Sequence, residues 1–440
     1  MAGLGLGDGA SHRSAVNLAP LAPLGRGVGG ELGWNALSFV VMALSSAGAF
    51  FIVGRWHGQG ALGVFSQAYA VYVVASQLVV LGVQFSVLRA AAAMPMMDAE
   101  MRPMLWGALW LVLGAGMGAL ALGLPVLGAA EAWFDSVAVA EAIAASLPGL
   151  LFFGCNKVLI SWLNGLRRMR AVALAQGARG LLLVLWMVAL GVIEVRAALL
   201  SAALAAAEAC LFIGLLVDAW RRAPLCWGSD VARWAAEHAR FGAKALWSGV
   251  IMEANSRVDV LLLGVFLSDR QVGVYSLVSM GFEALLQVCQ VVRISVNPRL
   301  AKLHARRRLA MLQRYTRHAV RASYATLGGL ALAAALLYPL AVRVLFGESY
   351  VAGAPCFAIL MAGFAVTSGY RAVDMLLVQA NFPGWQTAML GAGMLANVVL
   401  NLLLIPSHGL VGAALATAAS LPAGVLLLKI SVRRLVGISI

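Results

Sequence analysis

The sequence predicts an all-α polytopic membrane protein of about 12 transmembrane helices in two sets of six, and three observations carry that prediction. Of the 440 residues, 62% are hydrophobic and 11% charged, with a mean hydropathy of +0.90. A soluble core has no use for that much apolar surface. Lys and Arg alternate between the two ends of the predicted spans, as the insertion of short-looped helices requires. A short string also recurs at an offset of 210 residues, which divides the chain into equivalent halves.

Residues 1–31 are rich in Gly, Ala and Leu and carry Arg13 and Arg26, without the continuous apolar run of a secretory signal. They read as a disordered cytoplasmic tail. Apolar runs bounded by charge, Pro or Gly then place spans at 32–53, 61–87, 104–127, 143–163, 171–192 and 197–217. A second series falls at 245–267, 272–292, 322–345, 352–378, 384–405 and 409–428. These define two bundles, 32–218 and 245–428, with a linker at 219–244 and a cytoplasmic tail at 429–440. No separate globular catalytic domain fits between them.

The charges test this series. One side receives Arg89 and Arg102, the cluster Arg167 to Arg179, Arg221 to Lys244, the long run Arg293 to Arg321, and Lys429, Arg433 and Arg434. The opposite side receives Arg55, Arg196, Arg270 and Arg343, with Glu131, Asp135 and Glu141 in one of its loops. The pattern predicts both termini in the cytoplasm, and it accounts for the net charge of +14 without a nucleic-acid partner. Within the linker, Trp227, Val231, Trp234, His238 and Phe241 recur at helical spacing, with Arg233, Glu237 and Arg240 on other faces. That periodicity predicts an interfacial amphipathic helix.

Catalytic and metal signatures do not emerge. None of the four lysines follows a glycine as a phosphate loop demands, and HExxH and GxSxG strings do not occur. The five cysteines are scattered singly, without zinc-site spacing. No cofactor is expected.

The candidate site comes instead from ionisable residues inside spans, where each costs at least about 2.5 to 3.5 kcal/mol near the centre. They are Lys157, Glu208, Glu253, Arg257, Asp259, Glu283, Arg371 and Asp374, six of them in the second half. Arg257 falls midway between Lys244 and Arg270, near the bilayer midplane. Glu253 with Arg257 and Arg371 with Asp374 have the i, i+4 and i, i+3 spacings of local ion pairs, so a purely structural role stands beside a functional one. Asp259 points away from Arg257 and requires a partner on another span. Glu208 and Glu283 have no cation on their own helices, which suits either proton carriage or interhelical hydrogen bonding.

The internal repeat is Gly63-Val-Phe-Ser66 against Gly273-Val-Tyr-Ser276, followed by Arg89 against Arg299. Together with the run Gly60 to Ser66, Asn164-Gly165 before Arg167, and Arg257 through Asp259 to Gly264, these strings form an ordered set. Val272 to Ser276, Pro298, Phe346-Gly347 with Tyr350, and Leu404-Ile405-Pro406 before Gly409 and Gly412-Ala413-Ala414 complete it. The set resembles the polysaccharide transport branch of the multidrug, oligosaccharidyl-lipid and polysaccharide exporter superfamily, nearly end to end.

The resemblance implies two six-helix bundles with pseudo-twofold symmetry around a central cavity, in a bacterial inner membrane. It implies flipping of an undecaprenyl-diphosphate-linked oligosaccharide from the cytoplasmic to the periplasmic leaflet by alternating access, coupled to protons, sodium or the membrane potential. Arg257, Arg371, Lys157 and Arg55 are then candidates for the headgroup. Asp259, Glu253, Glu208, Glu283 and Asp374 are candidates for ion coupling or charge pairing. Implied partners are the lipid-linked oligosaccharide and membrane lipids, with a polysaccharide polymerase and glycosyltransferases alongside. A cation-coupled drug exporter of the same superfamily is one rival, disfavoured by Arg257 and Arg371. The lipid II flippase is another, disfavoured by twelve spans and a less Arg-rich first half. A membrane polymerase or ligase is a third, disfavoured by short outward loops.

Overall fold

Apolar sequence inside a bilayer must satisfy every backbone N–H and C=O within its own segment, and the α-helix does so. The computed structural model describes residues 28–94 and 99–440. Among them the chain is helical throughout, without strands. The first bundle consists of α1 (Val28–Ile52), α2 (Gly58–Val80), α3 (Val83–Ala93), α4 (Met101–Phe134), α5 (Val137–Gly165), α6 (Met169–Val192) and α7 (Ala202–Arg222). The second consists of α8 (Ser229–Phe266), α9 (Asp269–Ala305), α10 (Leu309–Ser323), α11 (Gly329–Leu345), α12 (Ala354–Thr367), α13 (Leu376–Gln379) and α14 (Pro383–Leu435).

Nine segments among the described residues are long and apolar enough to cross a membrane. Two of them, Leu37–Val80 and Pro383–Leu435, are double. The first bends through a π turn at Val53–His57; the second breaks at Gly409, whose φ of 56° and ψ of −132° leave the helical region. Adding α8, whose charges dilute its hydropathy, recovers the twelve-span series. Lipid-facing stripes mark the outside, as with Leu332, Leu336, Leu340 and Val344 at i, i+4 spacing on α11, each more than half exposed.

Three sequence expectations change. The predicted tail lies outside the described residues up to position 27, and from Val28 onward the chain is already helical. The linker helix is no separate element: α8 runs 38 residues without a break, from the amphipathic stretch into the seventh span. Nor does that stretch float on lipid. Val231, Trp234 and His238 are buried against the first bundle, while Trp227 is exposed. His238 sits between the Ser86 hydroxyl on α3 at 2.8 Å and the Met104 carbonyl on α4 at 3.1 Å. Finally, residues 429–440 are tied down. α14 continues to Leu435, Val436 and Ile438 are buried, and Ser439 accepts hydrogen bonds from Gln313 and Arg317 at 2.7 and 2.9 Å.

The two bundles meet along α2 and α9, with α8 beside α2. The ends rich in Lys and Arg form one pole of the molecule, the basic end. The opposite pole is bonded shut between the lobes. Gln59 donates to the Ser349 carbonyl at 2.7 Å and accepts from Arg270 at 2.6 Å. Asp269 accepts from Gln67 at 2.7 Å and from Ser136 at 2.8 Å, and Tyr350 donates to the Gly54 carbonyl at 3.0 Å. We refer to this pole as the sealed end.

Candidate functional site

α8 descends from the basic end with Glu253 and Arg257 on one face and Asp259 on another, and α9 returns with Glu283 opposite Arg257. The Arg257 guanidinium pairs with Glu283 at 2.9 Å and lies over the Tyr69 ring of α2, 5.1 Å from its centroid. The group therefore spans both lobes. Ser66, Tyr69, Ser276 and Met280 join Arg257 and Glu283 around a cavity of about 30 Å³ between them, room for one or two waters. Ser66 and Ser276 are the matched serines of the internal repeat, brought to one cavity from opposite lobes.

Lys157 on α5 enters the same cleft. Its ammonium lies 3.4 Å from the Gln77 side-chain oxygen and 5.4 Å from the Phe153 ring centroid, within electrostatic range of Glu253 on α8. Glu253 is also within electrostatic range of Arg257 and Glu283. A series of opposite charges thus runs from Lys157 through Glu253 to Arg257.

The locally spaced pairs expected from sequence are not the bonded ones. Arg257 bonds Glu283 on α9, not Glu253. Asp374 is paired at 3.3 Å with Arg293 of α9. Arg371 lies over the Phe364 ring, with its Nε lacking a hydrogen-bond partner. The reason is geometric: residues 368–372 leave the α-helix in a 3₁₀ turn and Asp374 lies in the turn beyond it, so the α-helical i, i+3 geometry does not apply to this pair. Because Arg293 is ten residues beyond Glu283, about 15 Å along α9, Arg371 and Asp374 belong to a separate cluster toward the basic end. Arg55 is exposed in the π turn at the sealed end and leaves the headgroup set. Glu208 does have a cation, on another helix. Arg179 of α6 bonds it at 2.8 Å and Asn156 of α5 donates to it at 2.8 Å.

Asp259 finds its partners on other spans, and none carries positive charge. It accepts from Thr417 at 2.6 Å and from Asn401 at 3.0 Å, both on α14, with the Tyr275 hydroxyl at 3.5 Å. Asn401 also donates to the Asn397 side-chain oxygen at 3.0 Å, and its own side-chain oxygen has no partner. The result is a buried oxygen-rich nest around one carboxylate.

Sequence reasoning missed Arg179 and Arg293 by assigning both to cytoplasmic loops. Arg179 stands ten residues into an apolar helix, which was the available signal. It also missed Asn397 and Asn401, whose i, i+4 spacing in an apolar run marks a common buried face.

Comparison with known proteins follows the same lines. The sequence pattern described as "Polysaccharide biosynthesis protein" matches residues 29–304, well over half of the chain. The chain belongs to the polysaccharide biosynthesis protein family. No curated protein sequence matches it significantly. Among solved structures, a lipid II flippase MurJ in an inward closed conformation superposes with a TM-score of 0.72 at 14% identity, covering 90% of this chain and 87% of that one. An inward-facing multidrug resistance MATE transporter of the MOP superfamily gives 0.70 at 12% identity, covering 90% and 95%. At these identities the likeness establishes the fold: this family member shares the two-lobed helical architecture of the MOP superfamily.

Proposed function

We propose that the protein is a secondary transporter that flips undecaprenyl-diphosphate-linked oligosaccharide repeat units from the cytoplasmic to the periplasmic leaflet by alternating access, for cell-surface polysaccharide biosynthesis. The basic end is cytoplasmic in this reading, both termini are inside, and the membrane is the bacterial inner membrane. The observation that carries it is Arg257, a guanidinium in the cleft between the lobes, with Lys157 further toward the basic end. Guanidinium is the side chain best suited to a diphosphate, through paired charge-assisted hydrogen bonds. The family supports a role in polysaccharide synthesis, and the fold supports transport.

Glu283 and Glu253 balance the two cations of the cleft. They hold Arg257 and Lys157 while the site is without substrate, and the diphosphate takes their place. Asp259 is the coupling residue. A buried carboxylate among neutral donors binds a proton or sodium more readily than one already paired with arginine. Thr417, Asn401 and Asn397 supply oxygen ligands of the kind hard cations use.

The test is to delete the gene in its host and quantify undecaprenyl-linked oligosaccharide by leaflet, with a membrane-impermeant glycan-modifying reagent on intact and lysed cells. Complete repeat units trapped on the cytoplasmic face are expected. Units exposed outside but unpolymerised would identify a polymerase or ligase instead, and unchanged lipid-linked sugar would identify a drug exporter.

A further inference from the structure

The internal repeat has a structural meaning that sequence offset alone does not show. Gly63 of α2 and Gly273 of α9, the matched glycines, touch each other where the two helices cross. A Cβ on Gly63 would collide with the Asp269 carbonyl, and a Cβ on Gly273 with the Gln59 carbonyl. Each would also approach within 3.0 Å of the other glycine's backbone nitrogen. Gln59 and Asp269 each precede their glycine by four residues, so the crossing is symmetric about the pseudo-twofold axis. Small residues permit helix backbones in lipid to approach this closely.

Two of these residues, Gln59 and Asp269, also make cross-lobe hydrogen bonds of the sealed end. Asp269, at the first position of α9, accepts from Gln67 on α2 and from Ser136, which also caps α5 by accepting from the Val139 amide at 3.3 Å. Gln59 bonds both Arg270 and the Ser349 carbonyl. The side-chain bonds flank a contact that only two glycines can make. Gly60 lies one turn away on α2, and a Cβ there would meet nothing within 4 Å.

We propose that the Gly63–Gly273 crossing is the gate of the sealed end: its separation opens the cleft on that side, and Asp269 is the latch that holds it shut. Packed helix interfaces favour discrete arrangements over gradual deformation. A backbone-to-backbone contact without intervening side chains gives a tight closed state that a single added methyl forbids.

The test is a spin-label distance measurement between Ala132→Cys, at the end of α4, and Ala341→Cys, near the end of α11, both exposed at the sealed pole. The five native cysteines are first replaced by serine or alanine. Its readout requires no substrate, so its failure is distinct from failure of the transport reading. Gly63→Ala and Gly273→Ala are each expected to move the main distance peak outward in monodisperse protein. Asp269→Ala, which leaves the glycines intact, is expected to move it in the same direction. Should the glycine variants fail to fold, Asp269→Ala decides alone. Gly60→Ala controls for the higher helix propensity of alanine and is expected to leave the distances unchanged. An unmoved peak in folded Gly63→Ala and Gly273→Ala, or in Asp269→Ala where they do not fold, overturns the proposal. So does an equal shift from Gly60→Ala.

Discussion

Arg257 already has a carboxylate, so in the proposed transport role a diphosphate competes with Glu283 for the same guanidinium. Removing the arginine deletes charge-assisted bonds worth about 1.5 to 3 kcal/mol, a loss of roughly 10- to 100-fold in headgroup affinity. Arg257→Ala is therefore expected to insert normally while losing export. Arg257→Lys should rescue poorly, because an ammonium lacks the planar fork. Wild-type polysaccharide output from Arg257→Ala would reject the assignment. Glu208 makes the opposite case. Its alanine variant strands Arg179 inside the first lobe at a cost of about 3 to 5 kcal/mol, so the expected result is lost monodisperse protein or a lowered melting temperature, with Glu208→Gln milder. An unaltered melting temperature for Glu208→Ala would show that Arg179 finds water or another acceptor. These partners were only half legible in the sequence. Cost alone singled out Glu208, Arg257 and Glu283, since charge inside a span needs an explanation. Local spacing then suggested Glu253 for Arg257, whereas the fold brings Glu283 across from α9. Helical spacing lists the neighbours a side chain can reach on its own helix and is silent about those on the next.

At the scale of elements, spans were legible because lipid forces long apolar runs, and loops because insertion sorts their charge. α8 shows the limit of that reading. The periodicity of Val231, Trp234 and His238 announced an apolar face, but lipid and protein make the same demand on such a face, and here α3 and α4 cover it. Docking of this stretch is expected to depend on pH. Burial holds the His238 imidazole below its usual 6.5, although the Met104 carbonyl and nearby Glu237 act the other way. The neighbouring Glu100 carboxyl is held low by hydrogen bonds from Trp234 and Arg233. As pH falls through 6.5, a released His238 takes up a proton that the docked ring resists, so docking weakens. Glu100 adds its own loss only further down, as pH falls from the usual carboxylate value toward its depressed one, where a released carboxyl takes up a proton that the docked one resists. Hydrogen exchange of residues 229–244, corrected for intrinsic rates, should therefore accelerate between about pH 7.5 and 5.5, and His238→Gln should flatten the response. Equal protection at both pH values in the wild type would contradict this.

For the whole molecule the question is what drives the cycle. A headgroup with about two negative charges gains roughly 4 to 5 kcal/mol per 100 mV on leaving a negative cytoplasm, so potential alone can bias flipping. In the proposed reading Asp259 offers a second drive, as a buried carboxylate in the second lobe held by neutral donors and no cation. The first lobe also buries a carboxylate, Glu208 on α7, but pairs it at 2.8 Å with Arg179, a cation fixed to the protein. Asp259 has no such fixed cation among its described partners. In proteoliposomes, Asp259→Asn is accordingly expected to keep flipping driven by an imposed potential and to lose acceleration by a proton or sodium gradient at zero potential. Asn preserves the size of the side chain and an acceptor for Asn401, and its amide can donate to the Thr417 hydroxyl in place of the bond that hydroxyl donates to Asp259, so a folding defect is not the expected result. Retained acceleration by both ion gradients in this variant would remove Asp259 from coupling and leave the potential acting on the substrate's own charge. Loss of potential-driven flipping as well would make protonation or cation binding at Asp259 an obligatory step in the turnover of the empty carrier.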